Sequence, residues 1–404
     1  MTAVDAAPDS REAVRQLVLV SAVQVMAVAT WFAASAAAPA LRAEWDIGQV
    51  GEALLTIGVQ IGFVAGALAS AVTNLPDRVH PPRLMGIGAA VAAVATLATA
   101  LVVDGPAAAV ALRLVTGAAL ALVYPVGMKI VVSWFEDRRG LAVSVMVGSL
   151  ALGSIFPQLI SGTLDEAWRT ALVVSALLAL VAALLQRWVR VGPLVGASEG
   201  FRPAAVVDVW RASAPRLANL GYLGHMWELY AVWAWAPAYL TASLVARDQP
   251  ASRGLVGVVV FVAFGVCGLL GCLVAGWAGD RIGRARAATA AMLVSGACCL
   301  LAAVAFGGPL WVLVPLLMVW GASVIADSAM FSACLGTVVD QRYVGTALTL
   351  QTALGFLLTV VTIQLVPVVA SAAGWPVAVA LLSVGPLLGS IAMVRLTPLL
   401  PDRV

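Results

Sequence analysis

Long apolar runs constrain this chain more than any other feature of its sequence. Of its 404 residues, 62% are hydrophobic and only 11% are charged, whereas soluble chains carry about 25% charged residues. Runs of about 18 or more apolar residues can cross a hydrocarbon core of about 30 Å. Because lipid offers the backbone no hydrogen-bond partners, such runs must be helices. The sequence therefore predicts an all-α membrane protein that crosses the bilayer many times.

The apolar runs predict twelve transmembrane helices, which we number span 1 to span 12. They lie at residues 16–38, 49–73, 84–103, 107–132, 141–162, 168–188, 217–241, 254–278, 288–306, 310–334, 344–370 and 375–396. The longest polar stretch follows span 6. It divides the chain into an N-terminal six-helix bundle (1–188), a cytoplasmic linker (189–216) and a C-terminal six-helix bundle (217–404).

The distribution of basic residues predicts the orientation. With the N-terminus in the cytoplasm, 17 of the 23 arginines and lysines fall on the cytoplasmic side, 4 fall outside and 2 fall within spans. Basic residues concentrate in cytoplasmic loops of membrane proteins. We therefore expect both termini to be cytoplasmic.

The sequence lacks the signatures of several functional classes. The five cysteines lie in apolar segments and show no zinc spacing, and there is no ATP-binding Gly-rich loop with its lysine. No nucleophile–base set is evident, so an enzyme is not expected, and neither is a cofactor or a metal. The expected partners are a small-molecule solute, protons and the lipid bilayer, with no nucleic acid and a monomeric state.

Short segments in the two halves of the chain resemble each other in sequence, at an offset of about 200 residues. GALASAVTNLPDR (66–78) and GCLVAGWAGDR (271–281) both end a glycine-spaced helix with Asp-Arg. In a second pair of segments (138–153 and 343–355), both members enter the next helix through a glycine and end on a glycine. Internal repeats are typical of secondary transporters, which bind their solute near the midplane between the repeats.

The loop GWAGDRIGRAR at 276–286 resembles the G-x-x-x-D-R-x-G-R motif of the major facilitator superfamily. RLVTGAAL (113–120) resembles its fourth-helix motif, and the twelve spans extend the resemblance over the whole chain. The resemblance implies two bundles with a pseudo-two-fold repeat and a cytoplasmic gate formed by the loop motif and its degenerate copy at 70–83. The alternative for this motif is a simple basic anchor. The implied gating residues are Asp77, Arg78, Asp280, Arg281 and Arg284.

Span 7 holds the most unusual polar pair. His225 and Glu228 are three residues apart near the middle of an apolar helix, so their side chains share a face and are predicted to touch. Histidine changes charge between pH 5 and 8, so the pair could carry a coupled proton. The alternative is a static polar link between span 7 and span 1.

Three further charges lie inside predicted spans, where charges usually face a cavity or a partner. Arg113 in span 4 suits an anionic solute because guanidinium binds carboxylates bidentately; alternatively it extends outward or pairs with Glu52. Asp327 in span 10 is a candidate for coupling, or for an ion pair with Arg138 or Arg139. Lys129 is most simply a side chain that reaches the cytoplasmic surface.

Uncharged residues complete the predicted solute site. An ideal helix brings Tyr124 back almost above Arg113, although Pro125 is expected to kink it. Gln24, Trp31 and Ser35 are predicted to share one face of span 1. By resemblance, spans 1, 4, 7 and 10 line the cavity. The predicted solute or proton site is Gln24, Trp31, Arg113, Tyr124, His225, Glu228, Asp327 and Gln351.

These residues favour a proton-coupled carrier of a small polar or anionic solute in the bacterial plasma (inner) membrane. The chain loosely resembles porters of nitrate, nitrite or cyanate, but spans 2 and 8 lack the arginines that hold nitrate in that group, so a weak organic acid is an equal candidate. The alternatives are a proton-driven exporter of drugs or metabolites and a non-transporting sensor or scaffold.

Overall fold

The computed structural model describes residues 10–136, 139–163, 168–194 and 209–400. Residues 195–208 of the predicted linker and Arg138 lie outside the described residues. Across the described part of the chain the structure is helical. The α-helices are α1 (Ser10–Val28), α2 (Ala33–Ala36), α3 (Ala38–Trp45), α4 (Gln49–Val72), α5 (Leu75–Arg78), α6 (Pro81–Leu101), α7 (Pro106–Leu120), α8 (Tyr124–Val132), α9 (Arg139–Thr163), α10 (Trp168–Leu185), α11 (Ser213–Val245), α12 (Arg253–Val260), α13 (Cys267–Ile282), α14 (Arg284–Val304), α15 (Leu310–Val324), α16 (Ser328–Val338), α17 (Val344–Ala373), α18 (Trp375–Leu382) and α19 (Val384–Leu396).

Ten helical stretches among the described residues are long and apolar enough to cross a membrane. They coincide with ten of the twelve predicted spans, all except spans 1 and 7. Span 1 is broken after Val28, and α1, the helix that ends there, carries Arg11, Glu12 and Arg15 in its first turns. At span 7, α11 has 33 residues, but its tryptophans, tyrosines, His225 and Glu228 make it less apolar. The count of twelve spans and the orientation of the termini remain predictions.

Four of the predicted spans are interrupted within their apolar runs, and in span 12 the interruption is the single residue Ser383 between α18 and α19. Span 1 breaks at residues 29–32, span 4 at 121–123 and span 10 at 325–327. The last two breaks are 204 residues apart, which matches the offset at which the sequence repeats. Span 8 stays helical but widens to a π-helix over Phe261–Val266 between α12 and α13. Pro125 directly follows the break in span 4, so the expected kink is a full interruption.

Glycines allow neighbouring helices to pack backbone against backbone next to two of these breaks. A Cβ on Gly117 would overlap the carbonyl oxygen of Val59, and one on Gly62 would overlap that of Leu114, so α4 and α7 pack with no side chain between them. In the C-terminal half, Gly321 meets the carbonyl of Ala263 in the same way. Span 4 therefore packs on span 2 as span 10 packs on span 8.

The two halves pack on each other along two seams. α9 contacts α12, the π-helix and α13, and α4 contacts α17. The first seam runs over the length of α9, because Gly162 lies against the Arg253 carbonyl near one end and Gly140 lies against Asp280 near the other. The predicted domain boundaries at 188 and 217 are not tested by these contacts.

Candidate functional site

Arg113 fills the break in span 1. It is fully buried in α7, and its Nη2 donates hydrogen bonds to the carbonyl oxygens of Thr30, at 2.8 Å, and of Trp31. Both carbonyls belong to the turn between α1 and α2. Unwound backbone inside a membrane needs such partners, because each unsatisfied polar group there costs several kcal/mol. The guanidinium therefore stabilises the interruption of span 1.

The rest of the Arg113 guanidinium has no partner among the described residues. Its Nε and Nη1 are buried and make no hydrogen bond. The predicted alternative, a salt bridge to Glu52, is not formed, because Glu52 pairs with Arg42 at 3.6 Å. Outward extension of Arg113 is also wrong, because its side chain is enclosed. A buried cation with free N–H donors can hydrogen-bond an anion, and here each of the two free donors would make its own bond.

His225 pairs with Asp327 instead of Glu228. Its Nδ1 lies 2.8 Å from Oδ1 of Asp327, which directly precedes α16 at the break in span 10. Both side chains are almost completely buried. Nε2 of His225 has no hydrogen-bond partner among the described residues. An ionisable pair with spare bonding capacity can take up or release a proton without dismantling a network.

Glu228 points to a different part of the C-terminal half. Its Oε1 accepts hydrogen bonds from Ser295 Oγ at 2.6 Å, from Trp320 Nε1 at 2.5 Å and from Cys299 Sγ at 3.1 Å. These donors come from α14 and α15. The predicted contact between His225 and Glu228 is therefore wrong, because each side chain finds a closer partner on another helix.

Aromatic rings join the two halves between these charged sites. Trp31 lies 5.0 Å from Phe63, 5.7 Å from Tyr230 and 5.5 Å from Phe356, measured between ring centroids. Phe32 and Trp233 extend the group, and all six residues are buried. We call this set the interhalf aromatic cluster: Trp31, Phe32, Phe63, Tyr230, Trp233 and Phe356.

Tyr222 connects this cluster to the ionisable pair. Tyr124 begins α8 directly after the break in span 4 and is half-buried. Tyr222 packs against Gly355, the residue before Phe356 of the cluster. The ring of Tyr222 lies 6.1 Å from that of His225. Buried, mostly aromatic contacts therefore connect the Arg113 site in the N-terminal half with His225 and Asp327 in the C-terminal half.

The two predicted glutamines hold helices together. Nε2 of Gln24 donates to the carbonyl of Met146 in α9 at 2.7 Å, while its Oε1 has no partner among the described residues. Gln351 accepts a hydrogen bond from Ser332 at 3.3 Å, and its buried Nε2 is left unsatisfied within the described chain. Each side chain thus keeps one polar atom for a further partner.

Gln24, Trp31 and Ser35 do not share a helix face, so this prediction for span 1 is wrong. Gln24 lies in α1 and Ser35 lies in α2, and the intervening turn ends the helical periodicity on which the prediction rested. Ser35 instead lies 2.5 Å from the hydroxyl of Thr56 in α4. Trp31 sits in the turn itself.

The C-terminal loop motif contacts the N-terminal half. A Cβ on Gly140 would lie 2.9 Å from Oδ1 of Asp280, so this carboxylate sits at the N-terminus of α9, where negative charge is stabilised. The guanidinium of Arg281 stacks on Trp277, with Cζ 3.9 Å from the ring centroid. Arg284 begins α14 and packs near Gly279. This contact between halves is what the gating prediction requires, although the gating role itself stays a prediction.

The degenerate copy of the motif behaves differently. Asp77 in α5 forms an ion pair with Lys129 at the end of α8, within the N-terminal half. The side chain of Lys129 is partly exposed, and it reaches Asp77 there. Arg78 is exposed at the end of α5.

The sequence reasoning missed two groups of residues. It did not identify the rings of Phe63, Tyr230 and Phe356, although the aromatic density of residues 221–240 was a usable signal. It also missed Ser295 and Cys299, the partners of Glu228, because nothing in the sequence pairs α14 with α11. Among the described residues, no group of three or more His, Cys, Asp or Glu could hold a metal ion.

Comparisons with known proteins agree with this architecture. The family model described as Major Facilitator Superfamily matches residues 20–245. A crystal structure of the nucleoside transporter NupG superposes with a TM-score of 0.72 at 13% identity, covering 95% of this chain and 99% of that one. Among curated proteins there is no match. With more than half of its length matched by the family model, this multi-pass membrane chain belongs to the major facilitator superfamily of transporters.

Proposed function

We propose that this transporter carries a small anionic or polar solute by alternating access and couples its movement to protons. The observation that carries the proposal is the buried guanidinium of Arg113, whose Nε and Nη1 have no partner in the described part of the chain. Interrupted helices near the midplane commonly supply substrate sites in secondary transporters. Arg113 lies at such an interruption, in span 1.

The His225–Asp327 pair supports coupling to protons. It lies at the break in span 10, in the half opposite Arg113. A proton taken up by this pair changes its net charge by one unit, which changes how α11 and span 10 bind each other. An anion entering beside Arg113 brings negative charge into the same interior, so uptake of a proton together with the anion limits the net charge buried. Glu228 is the second proposed proton site.

The contact of Asp280 with the start of α9 supports a gate at that end of the seam between the halves. Opening that end would withdraw the carboxylate from the helix N-terminus, which costs about 0.3–1 kcal/mol for an exposed site. This amount biases a conformational equilibrium without locking it. We place the protein in a bacterial inner membrane as a monomer with cytoplasmic termini.

A second candidate is export of lipophilic or ring-containing compounds. The interhalf aromatic cluster favours it, because Trp31, Tyr230 and Phe356 offer ring faces to a planar solute. The solved transporter of similar fold is named for nucleosides, which are uncharged ring compounds. Nucleosides and lipophilic cations therefore belong in the first ligand panel.

The test is a thermal-shift panel on the purified protein at pH 5.5 and pH 7.5. The panel contains nitrate, formate, succinate, benzoate, uridine and tetraphenylphosphonium. We expect one or more anions to raise the melting temperature of the wild type and to lose this effect in Arg113→Gln. Arg169→Gln is the matched control, because Arg169 is an exposed arginine paired with Glu44.

Arg113→Lys separates ligand binding from folding. Lysine keeps the charge and can still donate to the span 1 carbonyls, but it has no counterpart of the free Nε and Nη1 donors of Arg113. We expect this variant to fold and to respond more weakly to the anion. Stabilisation by tetraphenylphosphonium or uridine alone, unchanged in both Arg113 variants, would replace the anion carrier with the second candidate.

A further inference from the structure

A long groove runs along the outside of the C-terminal half, away from the solute site. Leu217, Leu220 and Trp227 of α11 line one side, and Leu388 and Ile391 of α19 line the other. Its volume is about 420 Å³. Leu220, Leu388 and Ile391 are exposed, so the groove faces the surrounding lipid and not the protein interior.

The floor of the groove follows from close packing of the two helices. Gly224 and Gly385 bring α11 and α19 together backbone against backbone, since a Cβ on either residue would lie only 2.4 Å from the carbonyl oxygen of the other. The helices diverge from this contact and leave the groove between them. From Leu217 to Trp227 the groove covers ten residues of α11, about 15 Å at 1.5 Å per residue. This is half of a hydrocarbon core of about 30 Å, the depth of one leaflet.

One end of the groove is basic. Arg395 lines it at the end of α19, and Arg216 precedes Leu217 at the start of α11; both side chains are exposed. Neither arginine forms an ion pair with a carboxylate of the described residues. Two arginines without counter-charges thus lie at headgroup depth above an apolar channel one leaflet deep. This arrangement is complementary to an anionic headgroup followed by an acyl chain.

We propose that this groove binds an anionic glycerophospholipid from the leaflet in which α19 ends. One acyl chain lies between α11 and α19 as far as Trp227. The headgroup phosphate binds Arg395 and Arg216. The site is independent of the transported solute, because its lining residues are separate from Arg113, His225 and Asp327.

The test measures retained lipid by native mass spectrometry of protein taken from liposomes with equal amounts of dioleoyl phosphatidylglycerol and dioleoyl phosphatidylcholine. We expect the wild type to retain phosphatidylglycerol in excess. Each of Arg395→Gln and Arg216→Gln should weaken retention about fivefold, because a basic residue near an anionic surface contributes about that factor. Arg187→Gln, an exposed arginine after α10 and outside the groove, is the matched control and should leave retention unchanged.

Leu388→Trp tests the channel separately from the charges. A larger side chain in the groove should displace the acyl chain and lower retention of both lipids while both arginines remain. Equal retention of the two lipids by the wild type would overturn the proposal, as would equal losses in Arg395→Gln and Arg187→Gln. Dimers without bound lipid would also overturn it, because they would identify a second copy of the chain as the occupant.

Discussion

His225 on α11 and Asp327 at the break in span 10 lie 2.8 Å apart, Nδ1 to Oδ1, and both are buried. The pair joins α11, a continuous helix of 33 residues, to span 10, which is interrupted at residues 325–327. A proton on this pair therefore changes the contact between α11 and the interrupted span 10, and we propose that coupling takes place here.

Asp327→Asn should abolish pH-driven solute accumulation while leaving solute exchange across the membrane intact, because asparagine cannot accept the coupled proton. The measurement is proton entry into liposomes loaded with a pH-sensitive dye, between pH 5.5 and pH 7.5. Asp340→Asn is the control. Hydrogen bonds from Arg342 lower the pKa of the exposed Asp340 to about 2, so this carboxylate stays ionised across the range and loses its ionised form only as the pH falls towards 2. Wild-type proton entry in Asp327→Asn would exclude the pair from coupling.

Trp320→Phe should destabilise the protein by about 1–3 kcal/mol, because Nε1 of Trp320 is one of three donors to the buried Glu228 carboxylate. The measurement is the melting temperature in detergent. Trp311→Phe is the control, since Trp311 is 78% exposed at the start of α15. If both variants have the melting temperature of the wild type, the hydrogen bond from Trp320 to Glu228 contributes nothing measurable to stability.

Gly117→Ala should cost about 1–3 kcal/mol, the usual range for overpacking, because the new methyl group would overlap the Val59 carbonyl. Gly345→Ala lies in a helix with open space around the added Cβ and should be neutral or slightly stabilising. Melting temperatures of the two variants check this contrast. Equal stability would show that α4 and α7 separate at no cost.

The pair of Asp77 and Lys129 should tolerate reversal. Lys129→Ala is expected to lower stability by no more than about 1 kcal/mol, as for partly exposed ion pairs. Lys129→Asp should cost more, because it places two carboxylates together, and adding Asp77→Lys should restore most of the loss. A double variant no better than Lys129→Asp alone would show that the ion pair does not link α5 to α8.

Much of this fold could be predicted from the sequence because lipid leaves few options to the backbone. Ten predicted spans agree with helices in the structure. The loop motif at 276–286 indicated the family. The break in span 1 could not be predicted. Residues 29–32 (Ala-Thr-Trp-Phe) contain neither proline nor glycine, and the turn depends on Arg113, which is more than 80 residues away in sequence.

The pairing of the buried charges could not be predicted from the sequence either. Spacing on a helix shows which side chains are neighbours, so His225 and Glu228 were natural partners. It does not show what other helices offer, and here α14, α15 and the break in span 10 supply better partners to both. That His225 and Glu228 are functional remains a prediction. The partner of His225 is now Asp327.

The most direct test of the central proposal is proton entry into dye-loaded liposomes when nitrate or succinate is added outside at pH 6.5. Wild-type protein should admit protons with at least one of these anions, Arg169→Gln should behave like the wild type, and Arg113→Gln should lose the signal. Anion-driven proton entry that is unchanged in Arg113→Gln, or proton movement in the wild type only with tetraphenylphosphonium, would contradict the account.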